Sequence, residues 1–334
     1  MSIRYARQEA LWGEKGQAQL AASTVAVIGA GGLGSPALLY LAAAGVGRIL
    51  LFDDDVVSLS NLQRQIIHST ETLGRAKTDS AASALRALNP EVEVVTFPRL
   101  QAARALEDLR GADVLLDGTD NFDARYLSSW AAHELGIPHV WASILGFDAQ
   151  LSVFWSGHGP VYEDVFPTAP APGSVPSCSQ AGVLGPVVGT VGSAMALEAL
   201  KLLTGVGTPL IGTLGYFDSL RGTWEYIPLS AGGAVPQRPA DRPEVREVPA
   251  GATLIDVRTA AERAENFIPG SVHLPLDRIL AGEDPQVDAD APAVLYCASG
   301  LRSAQAVEAL RGRGFSQVLS LRGGINAWLE AQES

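Results

Sequence analysis

The stretch TVAVIGAGGLGSPALLYLAAAGVGRILLFDDD, residues 24–55, constrains the fold more than any other. An apolar run stops at glycines, a helix-compatible segment of small residues follows, and a second apolar run ends in acids. That alternation is strand, turn, helix, strand, the unit of a parallel α/β sheet. Gly29-x-Gly31-x-x-Gly34, with Gly32 between, opens the helix, so backbone amides and a helix N-terminus face one point suited to a phosphate. Asp53 closes the next strand at the spacing of a ribose-binding carboxylate. Taken alone this pattern implies a nucleotide and slightly favours a nicotinamide- or flavin-dependent (NAD/FAD) oxidoreductase.

The strand and helix pattern continues through a helix over 76–88, strand EVEVVTF, a helix near 102–109, strand ADVLLDGTD, a helix over 125–135 and strand PHVWASI. AQLSVFW and LGYFDSLRGTWEYIPL read as antiparallel strands, with a proline-rich crossing and a small-residue helix between them. No charge occurs between Gly16 and Gly47, the residue before Arg48, but glycines and Pro36 punctuate that span, and prolines break the uncharged span 165–197, so no membrane segment is expected. With 36 acidic against 24 basic residues, nucleic acid is an unsuitable partner. Two cysteines build no disulfide framework, which makes a reducing, cytoplasmic setting the expectation.

Residues 230–243, SAGGAVPQRPADRP, carry no helix or strand pattern and read as a linker that spans roughly 45 Å when extended. The expected organisation is a Rossmann-like mixed α/β domain over 1–229 and a small α/β domain over 244–334.

Past Asp53 the residue types change the chemistry. SLSNLQRQ supplies Asn61, Gln63 and Arg64, GRAK supplies Lys77, and LLDGTDN brings Asp117, Asp120 and Asn121 to a strand's carboxyl end. A hydride-transfer site has no need of this convergence. A carboxylate attacking an α-phosphate does, because cations must offset two anions and a metal must hold the departing pyrophosphate. Arg64 and Lys77 suit the first task, and Asp120 suits magnesium.

RYARQ, GAGGLGS, VSLSNLQRQ, GRAK, TDN and AGVLGPVVGTVGS, in this order, resemble the activating enzymes of ubiquitin-like proteins. More narrowly they resemble the molybdopterin-synthase and thiazole-synthesis adenylyltransferases. The resemblance implies ATP-dependent adenylation of the C-terminal glycine of a small sulfur-carrier protein ending in Gly-Gly. It also implies a homodimer in which Arg7 reaches into the partner's site, while Arg4 and Arg7 without that context read as a solvated helix. Cys178 matches the family's reactive cysteine, whose implied role is to hold the activated carrier covalently or to form an acyl disulfide with it; the alternative for the bare residue is a small buried side chain. The family's structural zinc, held by two C-x-x-C pairs, is not expected here, because Val161 and Asp164 occupy the first pair and YIPLSAGG offers no thiol for the second. His158 nearby reads as a loop residue.

The second domain has its own cysteine loop, CASGLR, Cys297 to Arg302, between an apolar strand and a helix. Loop amides, the helix N-terminus and Arg302 all favour an anionic sulfur there. LIDVRTAAERAENFIPGSVHLPL, YCASGLRSAQA and LRGGINAWL together resemble a rhodanese domain, with Asn266-Phe267 where Gly-His is usual, a departure expected to alter packing only. The two resemblances in one chain imply an adenylyltransferase joined to a sulfurtransferase whose Cys297 persulfide, charged by a sulfur donor, yields a carrier thiocarboxylate. A carrier-binding scaffold without turnover is the other alternative, and the carrier's pathway (molybdopterin, thiamine or tRNA thiolation) stays open.

Overall fold

The computed structural model describes residues 3–170, 181–239 and 243–332. They form two compact units, meeting in sequence near residue 240. In the first, Val25–Ile28 of β1 (Thr24–Ile28) are buried along their whole length, as a strand covered on both faces must be. β1 pairs in parallel with β2 (Arg48–Phe52) and β4 (Val114–Asp117), and β3 (Glu93–Phe97) and β5 (His139–Leu145) flank them. Beyond β5 the sheet turns antiparallel through β6 (Asp148–Phe154), β7 (Thr213–Asp218) and β8 (Thr223–Pro228), giving the order β3-β2-β1-β4-β5-β6-β7-β8. This is the mixed Rossmann-like sheet that the sequence predicts.

Helices cover both faces. On one side lie α1 (Ala6–Ala22, broken at Gly13), α2 (Gly34–Ala44) and α3 (Lys77–Leu88), with Leu20, Leu38 and Leu85 in a shared core. On the other lie the short α4 (Ala105–Asp108) and α5 (Phe122–Leu135), packed through Leu109, Leu127 and Trp130. After α6 (Tyr162–Val165), the long α7 (Gly185–Thr204) is apolar enough to cross a membrane by length and composition. Its Val188, Val191, Met195 and Ala199 instead enter the first core. Its buried Glu198 accepts hydrogen bonds from Lys201 and from the Leu210 amide. Gly192 lets it press on α2, where a methyl group would overlap the Leu33 carbonyl.

The second unit is a five-stranded parallel sheet in the order β11-β10-β12-β13-β9. β10 (Thr253–Asp256), β12 (Ala293–Tyr296) and β13 (Val318–Leu321) match the expected strands. The edge strands β9 (Glu244–Val245) and β11 (Val272–His273) are two residues each, too short to leave a sequence signal. Helices α8 (Ala260–Glu265), α9 (Leu276–Leu280), α10 (Leu301–Arg311) and α11 (Gly324–Gln332) flank them.

At the end of β10, Asp256 is fully buried and binds Arg258 bidentately at 3.0 and 2.8 Å. It also accepts from Arg263 at 3.2 Å and from the Tyr296 hydroxyl at 2.9 Å. Burial alone would raise its pKa, but these donors outweigh it and hold the carboxyl below the ordinary range. Asn266 joins this network through its side chain and carbonyl, both accepting from Arg258, so the unusual residue here has a bonding role beyond packing. Asp256→Asn leaves the buried Arg258 and the half-buried Arg263 short of a counter-charge and should cost about 3–5 kcal/mol. Calorimetry should show this as an earlier-melting transition of the second unit.

One expectation about the linker needs correction. Of residues 230–239, Pro236 is buried, and Gly232 and Ala234 donate their amides to Asp164 of the first unit. This part of the segment is anchored rather than free, because backbone amides with no strand partner have found a carboxylate.

Candidate active site

The glycine loop sits at the carboxyl edge of the parallel strands. Gly29 has φ +97°, a left-handed conformation that favours glycine, and its amide donates to the Phe52 carbonyl. A methyl group at Gly34 would overlap the Gly29 carbonyl, so helix α2 starts against the strand it follows. Gly32 lies under α7, with Val188 2.8 Å from where a Cβ would stand, and Gly31 faces the buried Gln65.

Asp53 closes this loop from the next strand. One carboxylate oxygen accepts from the Ala30 amide at 2.8 Å and the other from the Asp55 amide at 2.7 Å. Burial pushes its pKa up, and the nearby Lys77 ammonium opposes that. Carboxylate oxygens of Asp53, Asp54 and Asp55 all lie within 4.8 Å of one another. Lys77, the first residue of α3 and only 6% exposed, places Nζ 3.2 Å from Asp55. A buried ammonium beside three carboxylates and a phosphate-type loop is a poised electrostatic site. His68, which sequence reasoning missed, bridges Ser80 and the Ala30 carbonyl at 2.9 and 3.0 Å. Burial lowers its pKa, favouring the neutral ring. No motif marks it, because its partners are a backbone carbonyl and a serine.

The remaining predicted residues are placed less uniformly. Arg64 is half-buried and donates to the Ser60 carbonyl at 3.0 Å. The start of α7 abuts its backbone, since a methyl group at Gly185 would overlap the Gln63 carbonyl. The Asn61 side chain caps the turn at Ser58. Gly118 follows β4 beside Gly29, which brings the segment carrying Asp120 next to the glycine loop, with the Asp120 side chain exposed. Asn121 is the cap of α5, accepting from the Ala124 amide at 2.9 Å. Asp117 points into the interior, bonded to Thr119 and 3.5 Å from His139; it is structural.

At the N-terminus, Arg4 donates to the Leu88 carbonyl, Tyr5 to Glu91 and Gln8 to the Ala44 carbonyl. Arg7 stays exposed between these anchors. Val161 is buried, and Asp164 accepts three backbone amides. These residues do not fit a zinc centre. His158 stacks on Trp155 at 3.8 Å. Cys178 lies outside the described residues.

In the second unit, Cys297 is 1% exposed. The Gly300 amide donates to its Sγ at 3.1 Å, and the Ser303 hydroxyl lies 3.7 Å away. Gly300 has φ +96°, which turns that amide toward the sulfur. Gly324 lets α11 sit on the loop, where a methyl group would overlap the Cys297 carbonyl. Arg302 does not face the sulfur unopposed: it forms a bidentate pair with Glu262, at 2.8 Å for Nη1. The pair, 40 positions apart in sequence, is a contact that sequence pattern cannot show. Arg302 holds the Glu262 carboxyl at about 2, against the opposing effect of burial. A depressed carboxyl pKa stabilises above the ordinary glutamate value near ~4.3, and that contribution is lost only as pH falls through about 2. Carbon NMR should therefore find Glu262 ionised at pH 4; an ordinary midpoint would contradict the pairing.

The profile of the ThiF family matches residues 5–233, and that of the rhodanese-like domain matches residues 241–331. The chain belongs to the ThiF family. A probable adenylyltransferase/sulfurtransferase MoeZ from Mycobacterium tuberculosis is 40% identical over 96% of this chain and 90% of its own. The adenylyltransferase and sulfurtransferase MOCS3-1 of Zea mays is 35% identical over 98% of this chain and 81% of its own. A sulfur carrier protein adenylyltransferase from Thermus thermophilus is 45% identical over 73% of this chain and 93% of its own. The crystal structure of E. coli MccB with ATP shares the fold at a TM-score of 0.61 and 19% identity, covering 70% of this chain and 74% of that one. The glycine loop, Lys77 and Asp120 thus lie in the ThiF domain, and the Cys297 loop lies in the rhodanese-like domain.

Proposed function

We propose that this chain adenylates the C-terminal glycine of a small ubiquitin-like sulfur-carrier protein and converts it to a thiocarboxylate. The observation that carries this reading is the union in one chain of a ThiF domain and a rhodanese-like domain, shared over nearly full length with relatives named for both activities.

The amides of the Gly29–Gly34 loop receive the triphosphate of ATP, and Asp53 receives the ribose. Arg64, Lys77 and, from a second copy of the chain, Arg7 offset the charge as a carboxylate oxygen of the carrier attacks the α-phosphorus. The bond from that phosphorus to its bridging oxygen breaks, and pyrophosphate departs. Asp120, exposed on the segment that follows Gly118, would hold a magnesium ion that neutralises the departing pyrophosphate, and Asn61 and Asn121 are assigned to the same nucleotide site.

A persulfide on Cys297 then attacks the acyl carbon through its outer sulfur. AMP leaves and an acyl disulfide forms. A thiol, assigned to Cys178, attacks the Cys297 sulfur, which releases the thiocarboxylate and leaves a disulfide that a cellular thiol reopens. This cycle needs a persulfide donor and a reducing compartment such as the cytoplasm. The carrier serves molybdopterin, thiamine or tRNA thiolation. A hydride-transferring enzyme has no use for a buried lysine among carboxylates at the phosphate loop.

Exchange of labelled pyrophosphate into ATP tests the first half. Exchange should require a carrier with an intact C-terminal glycine. Carrier-independent exchange, or none with any carrier, would count against the proposal.

A further inference from the structure

One carboxylate joins the turn at α6 to the segment that follows β8. Asp164, the third residue of α6, accepts from the Val161 amide through Oδ2 at 2.9 Å. Through Oδ1 it accepts from the amides of Gly232 and Ala234, both at 2.9 Å, across 68 and 70 positions of sequence. Gly233 has φ +79°, and this left-handed turn lets the amides on either side of it point to one spot, an anion-binding nest. A Cβ at Gly232 would stand 2.9 Å from Oδ1, so that position favours a residue without one. The segment is held twice more: Pro236 is buried, and the Arg238 guanidinium lies 5.7 Å from the centroid of Trp130 on α5.

We propose that Asp164 is a positioning residue: its carboxylate straps the segment after β8 to the ThiF domain and so sets how long a tether carries the rhodanese-like domain. The inference rests on the two-domain function above, because it concerns how that function is geared.

At the far end the tether is fixed by the Pro243 carbonyl, which accepts from the Ser320 amide of β13. With the strap closed, the chain from Arg238 to Pro243 reaches at most about 18 Å. Freed from Ser230 onward, it would reach roughly 45 Å. Effective concentration falls with about the three-halves power of tether length once the sites can be spanned. Releasing the strap should therefore slow sulfur delivery about fourfold while leaving adenylation alone, since neither Asp164 nor Arg238 belongs to the ATP site.

The test uses the full chain with Asp164→Ala, Pro236→Ser and Arg238→Ala combined, which removes all three anchors of the segment. Amide hydrogen exchange over 230–239 should accelerate at least about tenfold, the loss expected for bonds to a charged acceptor. Carrier-dependent pyrophosphate exchange should be unchanged, and thiocarboxylate formation should fall about fourfold. Thiocarboxylate formation that holds steady or rises while the amides are freed would overturn the proposal. If this variant fails to fold, the unaltered protein decides: Gly232 and Ala234 amides exchanging at the rate of an unfolded chain would overturn it, and protected amides would support it. Failure of pyrophosphate exchange in the unaltered protein would count against the adenylation reading and leave the strap intact.

Discussion

Lys77→Ala is expected to lower carrier-dependent pyrophosphate exchange by about 10²–10³, the cost of deleting one preorganised charge from a reaction centre. The size follows from where the ammonium sits. It is almost wholly buried at the start of α3, paired with Asp55 at 3.2 Å and opposing the upward pKa shift of Asp53. Its removal leaves Asp53, Asp54 and Asp55, with oxygens within 4.8 Å of one another, facing the incoming triphosphate without that cation. Lys77→Arg should rescue little, because a planar guanidinium does not fit the volume of a buried ammonium. Steady-state exchange rates measured on folded variants check this. Activity within threefold of the unaltered protein would remove Lys77 from the mechanism.

Cys297→Ser is expected to eliminate thiocarboxylate formation from a persulfide donor while leaving pyrophosphate exchange intact. A serine hydroxyl fits the loop and can still receive the Gly300 amide, which reaches the sulfur at 3.1 Å, but it cannot carry a second sulfur. The loop belongs to a unit with its own apolar cores, built on Leu295, Val307 and Leu310 on one face and Val294, Tyr296 and Ile325 on the other. The change therefore falls within that unit's own packing. Parallel assays of exchange and of carrier mass separate the two activities. Loss of exchange in this variant would contradict the division of labour.

What could be read from sequence was what is local in the chain. The Gly29–Gly34 turn and the strand that precedes it declare themselves within a dozen residues, and so do the Cys297 loop and the helix after it. The helix expected over 102–109 is a single turn, Ala105–Asp108, because an apolar pattern that short does not fix its own ends. Contacts across long separations left no trace. Asp164 looked only like a missing zinc ligand until its partners at Gly232 and Ala234 appeared. Arg302 looked like an unopposed cation until Glu262 did. His68 was invisible because it serves the glycine loop through a carbonyl.

The most direct test of the whole account is the mass of candidate carrier proteins after incubation with this chain, ATP, magnesium and a persulfide source. The account predicts that one carrier gains the mass of a single oxygen-to-sulfur exchange at its C-terminal glycine, and that the gain requires ATP. A carrier that is adenylated yet never acquires sulfur, with Cys297 demonstrably persulfidated, would contradict it.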